Sequence, residues 1–103
     1  MKIAQLLLEA NIPFETQKTF ESCRFPDTKA LAKFDFYVNN KYLIEFDGIQ
    51  HFDSRFGWNS EANFKNIQKR DKFKDEWCKK NNIPLIRIPY TKLNTLNLKD
   101  LLI

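Results

Sequence analysis

The chain has 103 residues, enough for one compact domain and not two, so residues 1–103 are read as a single domain. Hydrophobic residues make up 43% of it, with ten Phe, two Trp and three Tyr, which excludes a disordered chain and supplies a core. A net charge of +4 leans toward a polyanionic partner, although many ordinary domains carry such an excess. With no run of 18 apolar residues and no charged-then-apolar leader, neither a membrane span nor a signal peptide is expected. Cys23 and Cys78 lie far apart and have no metal-ligand spacing, so the expected setting is the reducing cytoplasm. One His and two scattered Cys cannot fill the four positions of a structural zinc site.

In chain order, Ile3–Ala10 reads as a helix with Ile3, Leu6, Leu7 and Ala10 on one face, ending before Pro13. Phe14–Phe20 suits a strand, and Glu21–Lys33, with Pro26, Asp27 and Thr28, reads as a loop. Phe34–Val38 and Tyr42–Asp47 are strong strands around the turn residues Asn39 and Asn40. Gly48–Ser60 is expected to be a loop, and Glu61–Lys80 a long basic helix stopped by Asn81 and Asn82. Ile83–Ile88 is a continuous apolar run that predicts a central strand, and Leu93–Ile103 a last short helix. The order α-β-β-β-α-β-α implies an α/β (α+β) fold, helices packed on one mixed sheet.

Strand register makes a chemical prediction. A buried sheet face should collect Phe34, Phe36 and Val38 with Tyr42, Ile44 and Phe46. That requires residue 35 opposite 45 and 37 opposite 43, hence a three-residue connection, Asn39–Lys41, with Asn in a left-handed position. Asp35 and Glu45 then become cross-strand neighbours, with Cβ atoms roughly 5 Å apart, and Asp47 follows on the same face. Three carboxylates so gathered repel each other, and Mg²⁺ would turn the patch into a ligand set of Asp35, Glu45 and Asp47. The plainer alternative is a solvated polar face.

On the long helix, Phe64, Ile67, Phe73, Trp77 and Cys78 fall in one half of the wheel together with Arg70, Asp71 and Lys74. Lys65, Gln68, Lys69, Lys72, Asp75, Glu76, Lys79 and Lys80 occupy the other half. Charges inside a core-facing stripe need a partner: an internal pair of Asp71 with Lys74 or Arg70, or contact with the carboxylate patch. His51 is the single histidine, placed just beyond the acidic strand and after Gly48. It is a candidate general acid or base, beside the plainer reading of a structural histidine. The pair His51 and Asp53 is a weak ligand signal.

The string FDFYVNNKYLIEFDGIQHF, followed by RDKFKDEWCKKNNIPLIRIPY, resembles the PD-(D/E)XK nuclease superfamily. More narrowly it is similar to the branch of very-short-patch repair endonucleases and phage homing nucleases. The resemblance runs from about Ile3 to Tyr90, and it implies a restriction-endonuclease-like α-β-β-β-α-β core with a mixed sheet flanked by helices. It also implies that Asp35 is the first acidic metal ligand and Glu45 the acid of the second motif. His51 matches the histidine after the strand, and Asp71 and Lys74 match the acidic and basic positions of the next helix. The implied chemistry is Mg²⁺-dependent phosphodiester hydrolysis, with Mn²⁺ an alternative cation and water as nucleophile. His51 or Lys74 would assist proton transfer or stabilise charge.

Two positions depart from that pattern. Asp47 stands where the superfamily usually has Lys, leaving Gln50, His51 or Lys74 as stand-ins. No acid opens the first helix, and Glu9 lies at its end. The expected partner is DNA, held through Arg55, Trp58, Lys65, Lys69, Arg70 and Lys72, mostly at phosphates. RNA stays open as a target, and a homodimer or an additional DNA-recognition domain fits so small a nuclease. The departures support the alternative of a non-catalytic nuclease-fold protein that binds nucleic acid or a host protein.

Overall fold

The computed structural model describes residues 2–48 and 61–103; the expected loop Gly48–Ser60 lies outside them except for Gly48. Its elements are α1 (Lys2–Glu9), β1 (Phe14–Arg24), β2 (Leu31–Val38), β3 (Tyr42–Asp47), α2 (Glu61–Lys80) and β4 (Leu85–Pro89). Two 3-10 segments, Tyr90–Thr95 and Leu98–Leu101, close the chain. The fold is α+β, as expected: helices and one mixed four-stranded sheet in the order β1-β2-β3-β4. Among the described residues only the β3–β4 pair is parallel.

Both helices end by the same device. Asn11 and Asn82 take left-handed φ values of 57°. The next residue's N–H reaches back five positions, Ile12 to the Leu7 carbonyl at 3.0 Å and Ile83 to the Cys78 carbonyl at 2.9 Å. Asn is one of the few side chains tolerated at that left-handed cap.

The β2–β3 hairpin has the predicted parity. Phe36 faces Ile44, Tyr37 faces Leu43 and Val38 faces Tyr42. Asn39 and Asn40 both adopt positive φ, 55° and 52°, in the three-residue connection. Two cores form, one on each face of the sheet. The first joins Ile3 and Leu7 of α1 to Phe36, Val38, Tyr42, Ile44 and Ile88, with Leu96 and Leu101 of the C-terminal segment. The second places Trp77, Phe73 and Cys78 of α2 on Cys23, Phe34 and Leu43.

Several expectations are corrected. The loop expected at Glu21–Lys33 shrinks to a tight turn, because β1 runs on to Arg24 and β2 begins at Leu31. Phe25 N–H bonds the Ala30 carbonyl at 2.9 Å across that turn, and Lys29 takes φ 63°. Phe34 packs on the α2 face instead of beside Phe36. Thr16 pairs with Phe36 and Lys18 with Phe34; between them lie Asp35 and Gln17, the latter with φ 52°. This local irregularity resets the alternation, and Phe34 gains edge contacts with Phe20, 6.0 Å between centroids. β4 lies at the end of the sheet and not in its centre. Its apolar run reflects a strand covered on both faces, by Ile86 and Ile88 on one core and Leu85 on the other. The last helix is two 3-10 turns, because Asn97 interrupts the run and makes a capping box with Asp100.

Candidate functional site

The site forms where the β2–β3 ladder ends. Beyond the Phe36–Ile44 pair, Asp35 reaches across with its side chain, and Oδ2 accepts the Phe46 N–H at 2.8 Å. Glu45 follows Ile44 and, with Leu43 and Asp47 on either side, faces α2. It is 5% exposed, and its Oε1 accepts a hydrogen bond from Lys74 Nζ at 2.7 Å. Lys74 reaches it because the basic residue sits one turn before Cys78, on the stripe that packs against the sheet. The ammonium also donates to the Lys33 carbonyl at 2.6 Å and lies 5.3 Å from the Phe34 ring centroid. An ammonium has three donors; among the described residues the third has no hydrogen-bond partner.

Burial pushes the Glu45 carboxyl up to about 7. Lys74 pulls it down by charge and hydrogen bonding, and the adjacent Asp35 carboxyl raises it by repulsion and by a shared hydrogen bond. Desolvation wins because a carboxylate so deeply placed loses most of its water. The result is a buried acid held between a neighbouring carboxyl and one cation.

Asp47 does not join them. It is 6% exposed, and its Oδ1 accepts from Arg87 Nη1 at 2.9 Å. Arg87 also donates from Nε to Asp75 Oδ1 at 2.9 Å and from Nη2 to the Asp71 carbonyl at 3.1 Å, with Asp71 Oδ1 3.7 Å from Nη1. Burial works against its charge, but Asp47, Asp75 and Asp71 together raise its pKa above the ordinary value. Among the described residues no group of three or more His, Cys, Asp and Glu is arranged to hold a metal ion. The expected three-acid set is thus split: Asp35 and Glu45 adjoin, while Asp47 is tied to Arg87.

Of the other expected site residues, Asp71 lies in the Arg87 network and Lys74 on Glu45. Arg70 is exposed and stacks on Phe25, Cζ 4.8 Å from the ring centroid. Lys65, Lys69 and Lys72 are exposed on α2. Gln50, His51, Asp53, Arg55 and Trp58 lie outside the described residues, as does the side chain of Phe64. Sequence reasoning missed Arg87. A lone Arg inside the apolar run IPLIRIP was the available signal, since a charge on a covered strand needs partners. Cys23 and Cys78 are free thiols, pushed by burial up to about 11 and about 12, and are not nucleophiles at neutral pH.

No family model matches the chain, and no solved structure matches it. Two viral proteins are similar in sequence. Uncharacterized protein 307L of Invertebrate iridescent virus 6 is 46% identical over 53 residues, 50% of this chain and 26% of its own length. Uncharacterized protein 094L of Frog virus 3 (isolate Goorha) is 34% identical over 84 residues, 74% of this chain and 54% of its own length. The chain therefore spans about a quarter of one relative and about half of the other. Among the described residues no helix is long and apolar enough to cross a membrane.

Proposed function

We propose that the chain is a metal-dependent DNA endonuclease domain of the PD-(D/E)XK type. The observation that carries this reading is the half-buried Asp35 beside the buried Glu45, with the Lys74 ammonium on Glu45. Two acids and one base are thereby joined from two strands and a helix, at positions the sequence resemblance singled out. The element order and mixed sheet accord with it.

The donor set fits Mg²⁺, which is held through one or two carboxylates while waters and substrate phosphate fill the remaining positions. Asp35 and Glu45 would hold it, with Mn²⁺ as a substitute; Asp47, tied to Arg87, leaves the ligand set. When bound, the ion would supply Lewis-acid activation of the phosphodiester and of water. Lys74 orients Glu45 and turns its third N–H toward a phosphoryl oxygen, where it stabilises charge developing in the transition state. It stands in for the missing motif lysine, so Asp47 is freed for the structural link to α2. Lys65, Lys69, Arg70 and Lys72 neutralise backbone phosphates, giving binding that weakens steeply with salt. The source of both relatives accords with a virus-encoded enzyme acting in the cytoplasm of a host cell.

The test is cleavage of plasmid and single-stranded DNA with Mg²⁺, Mn²⁺ or EDTA, by wild type, Glu45→Gln and Lys74→Ala. Metal-dependent cleavage is expected, lost in Glu45→Gln and reduced about 100-fold in Lys74→Ala. A folded wild type inactive with every cation refutes the reading. If such a protein still binds DNA, the second reading takes over: a nuclease-fold binding module without catalysis. One observation favours that reading, namely that Lys74 and Arg87 already satisfy Glu45 and Asp47 from within the chain.

A further inference from the structure

Between the β1–β2 turn and α2, beside cations proposed above to meet DNA phosphates, lies a groove of about 500 Å³. Phe25 and Phe73 line it with their rings, 5.3 Å between centroids. Lys69, Arg70 and Lys72 stand along its side on α2 together with Glu76, and Asp27 and Thr28 in the turn opposite. Among the described residues these three cations make no ion pair. A second hollow, about 360 Å³, shares Phe25 and Arg70 with the first and extends to Lys33, Asp71 and Lys74. The Phe25–Arg70 stack is therefore the sill between two hollows, one of which reaches the lysine on Glu45.

We infer that this groove holds an unpaired stretch of DNA leading to the Asp35–Glu45 site. A base lies on the Phe25–Arg70 stack, and its flanking phosphates lie on Lys69 and Lys72. The chemistry matches on both counts. Aromatic and guanidinium planes offer a stacking surface to any base whose face is exposed, and three cations against the two carboxylates Asp27 and Glu76 leave a net attraction for the backbone. Duplex DNA presents only phosphates to such a surface, because its base faces are covered by their neighbours in the stack. An isolated anion would use the cations and leave the rings idle. Thr28 and Asn66, also at the groove, provide polar atoms within the same hollow for a base edge. The inference rests on the endonuclease reading for where the strand leads, whereas binding in the groove needs neither metal nor cleavage.

The experiment is fluorescence anisotropy in EDTA with a labelled oligothymidylate and with a labelled duplex. Wild type is compared with Arg70→Gln and with Lys79→Gln, an equal loss of charge on the same helix but away from the groove. Both replaced side chains are exposed, and thermal melts verify that the variants are folded. The single strand is expected to bind more tightly than the duplex. Arg70→Gln should weaken single-strand binding about tenfold, the loss of one stacked base. Lys79→Gln should change it less than about twofold, because a distant charge is screened. A 2-aminopurine in the strand should lose fluorescence on binding wild type and keep it with Arg70→Gln. Duplex binding as tight as single-strand binding, or equal losses in the two variants, would overturn the groove. Single-strand preference in a protein that cleaves nothing would sink the endonuclease reading and leave the groove standing.

Discussion

Replacing Glu45 by Gln tests the electrostatics at the centre of the site without changing its shape. In the metal-free protein the Glu45 carboxyl titrates near 7, against 4.5 for the ordinary group. Between those values the folded protein keeps a proton that the unfolded chain has released. The folded state binds more protons there, so stability must fall as pH rises from about 4.5 through about 7, then level off. The side chain is 7% exposed, so solvent screening removes little of the effect. At 1.36 kcal/mol per pH unit the full loss is about 3 kcal/mol, as an order of magnitude. The assay is urea unfolding in EDTA at pH 5, 6, 7 and 8, wild type against Glu45→Gln, where the difference isolates this one group. The wild type is expected to lose stability relative to the variant across that range. Mg²⁺, which requires the ionised carboxylate, should restore wild type most at pH 8 and leave the variant unmoved. A difference that stays flat, or grows in favour of wild type with rising pH in EDTA, would refute burial as the controlling force.

Two further outcomes follow from other parts of the fold. Arg87→Met removes the guanidinium from the buried Asp47 and from Asp75 and should cost about 3 kcal/mol in urea unfolding. Asp75→Asn, at the 53% exposed end of the same network, should cost less than about 1 kcal/mol; equal losses would mean the network is not organised around Asp47. Asn82→Ala keeps the Cβ at φ 57° but loses the short polar side chain that eases the left-handed region, and should destabilise by about 1 kcal/mol, whereas Asn82→Gly should not. A stable alanine variant would argue against the left-handed cap as the stop for α2.

The parts of the fold legible in the sequence are those governed by period and parity. Alternation in FDFYV and YLIEFD, with two Asn between, required an odd connection, and the Tyr37–Leu43 pair realises it. The long helix was legible from its ends, because Asn82 closes it by the same geometry as Asn11. What could not be read depends on local events without a residue signature. Gln17 carries a left-handed φ that Gly or Asn would normally announce, and Phe34 changes face beside it. β1 extends to Arg24 although its outer residues are mostly polar, because an exposed strand face makes no demand for alternation. β4 looked central because an apolar run records cover on both faces and says nothing about position in the sheet. In the site, the Asp35–Glu45 juxtaposition followed from parity. Arg87 did not, since its partners come from β3 and α2 and meet only once the sheet order is set.

The two cations explain why acids that register places on neighbouring strand positions have separate roles. Glu45 and Asp47 both point toward α2, and each meets a different basic group there. Arg87 of β4 bonds Asp47 of β3 and, on its other side, Asp75 and the Asp71 carbonyl of α2, so through this one guanidinium Asp47 is linked to the helix. Its planar fork makes several directed bonds at once and suits a fixed joint. Lys74 comes from the same helix, three residues past Asp71, and its placement therefore depends on that joint. A lysine has a flexible stem and freely turning donors, so it can keep Glu45 while offering a proton to an incoming anion. The geometry thus gives the rigid cation to the acid that holds the helix and the adaptable one to the acid beside Asp35. On this argument Asp47 affects the site from behind, by fixing where Lys74 stands.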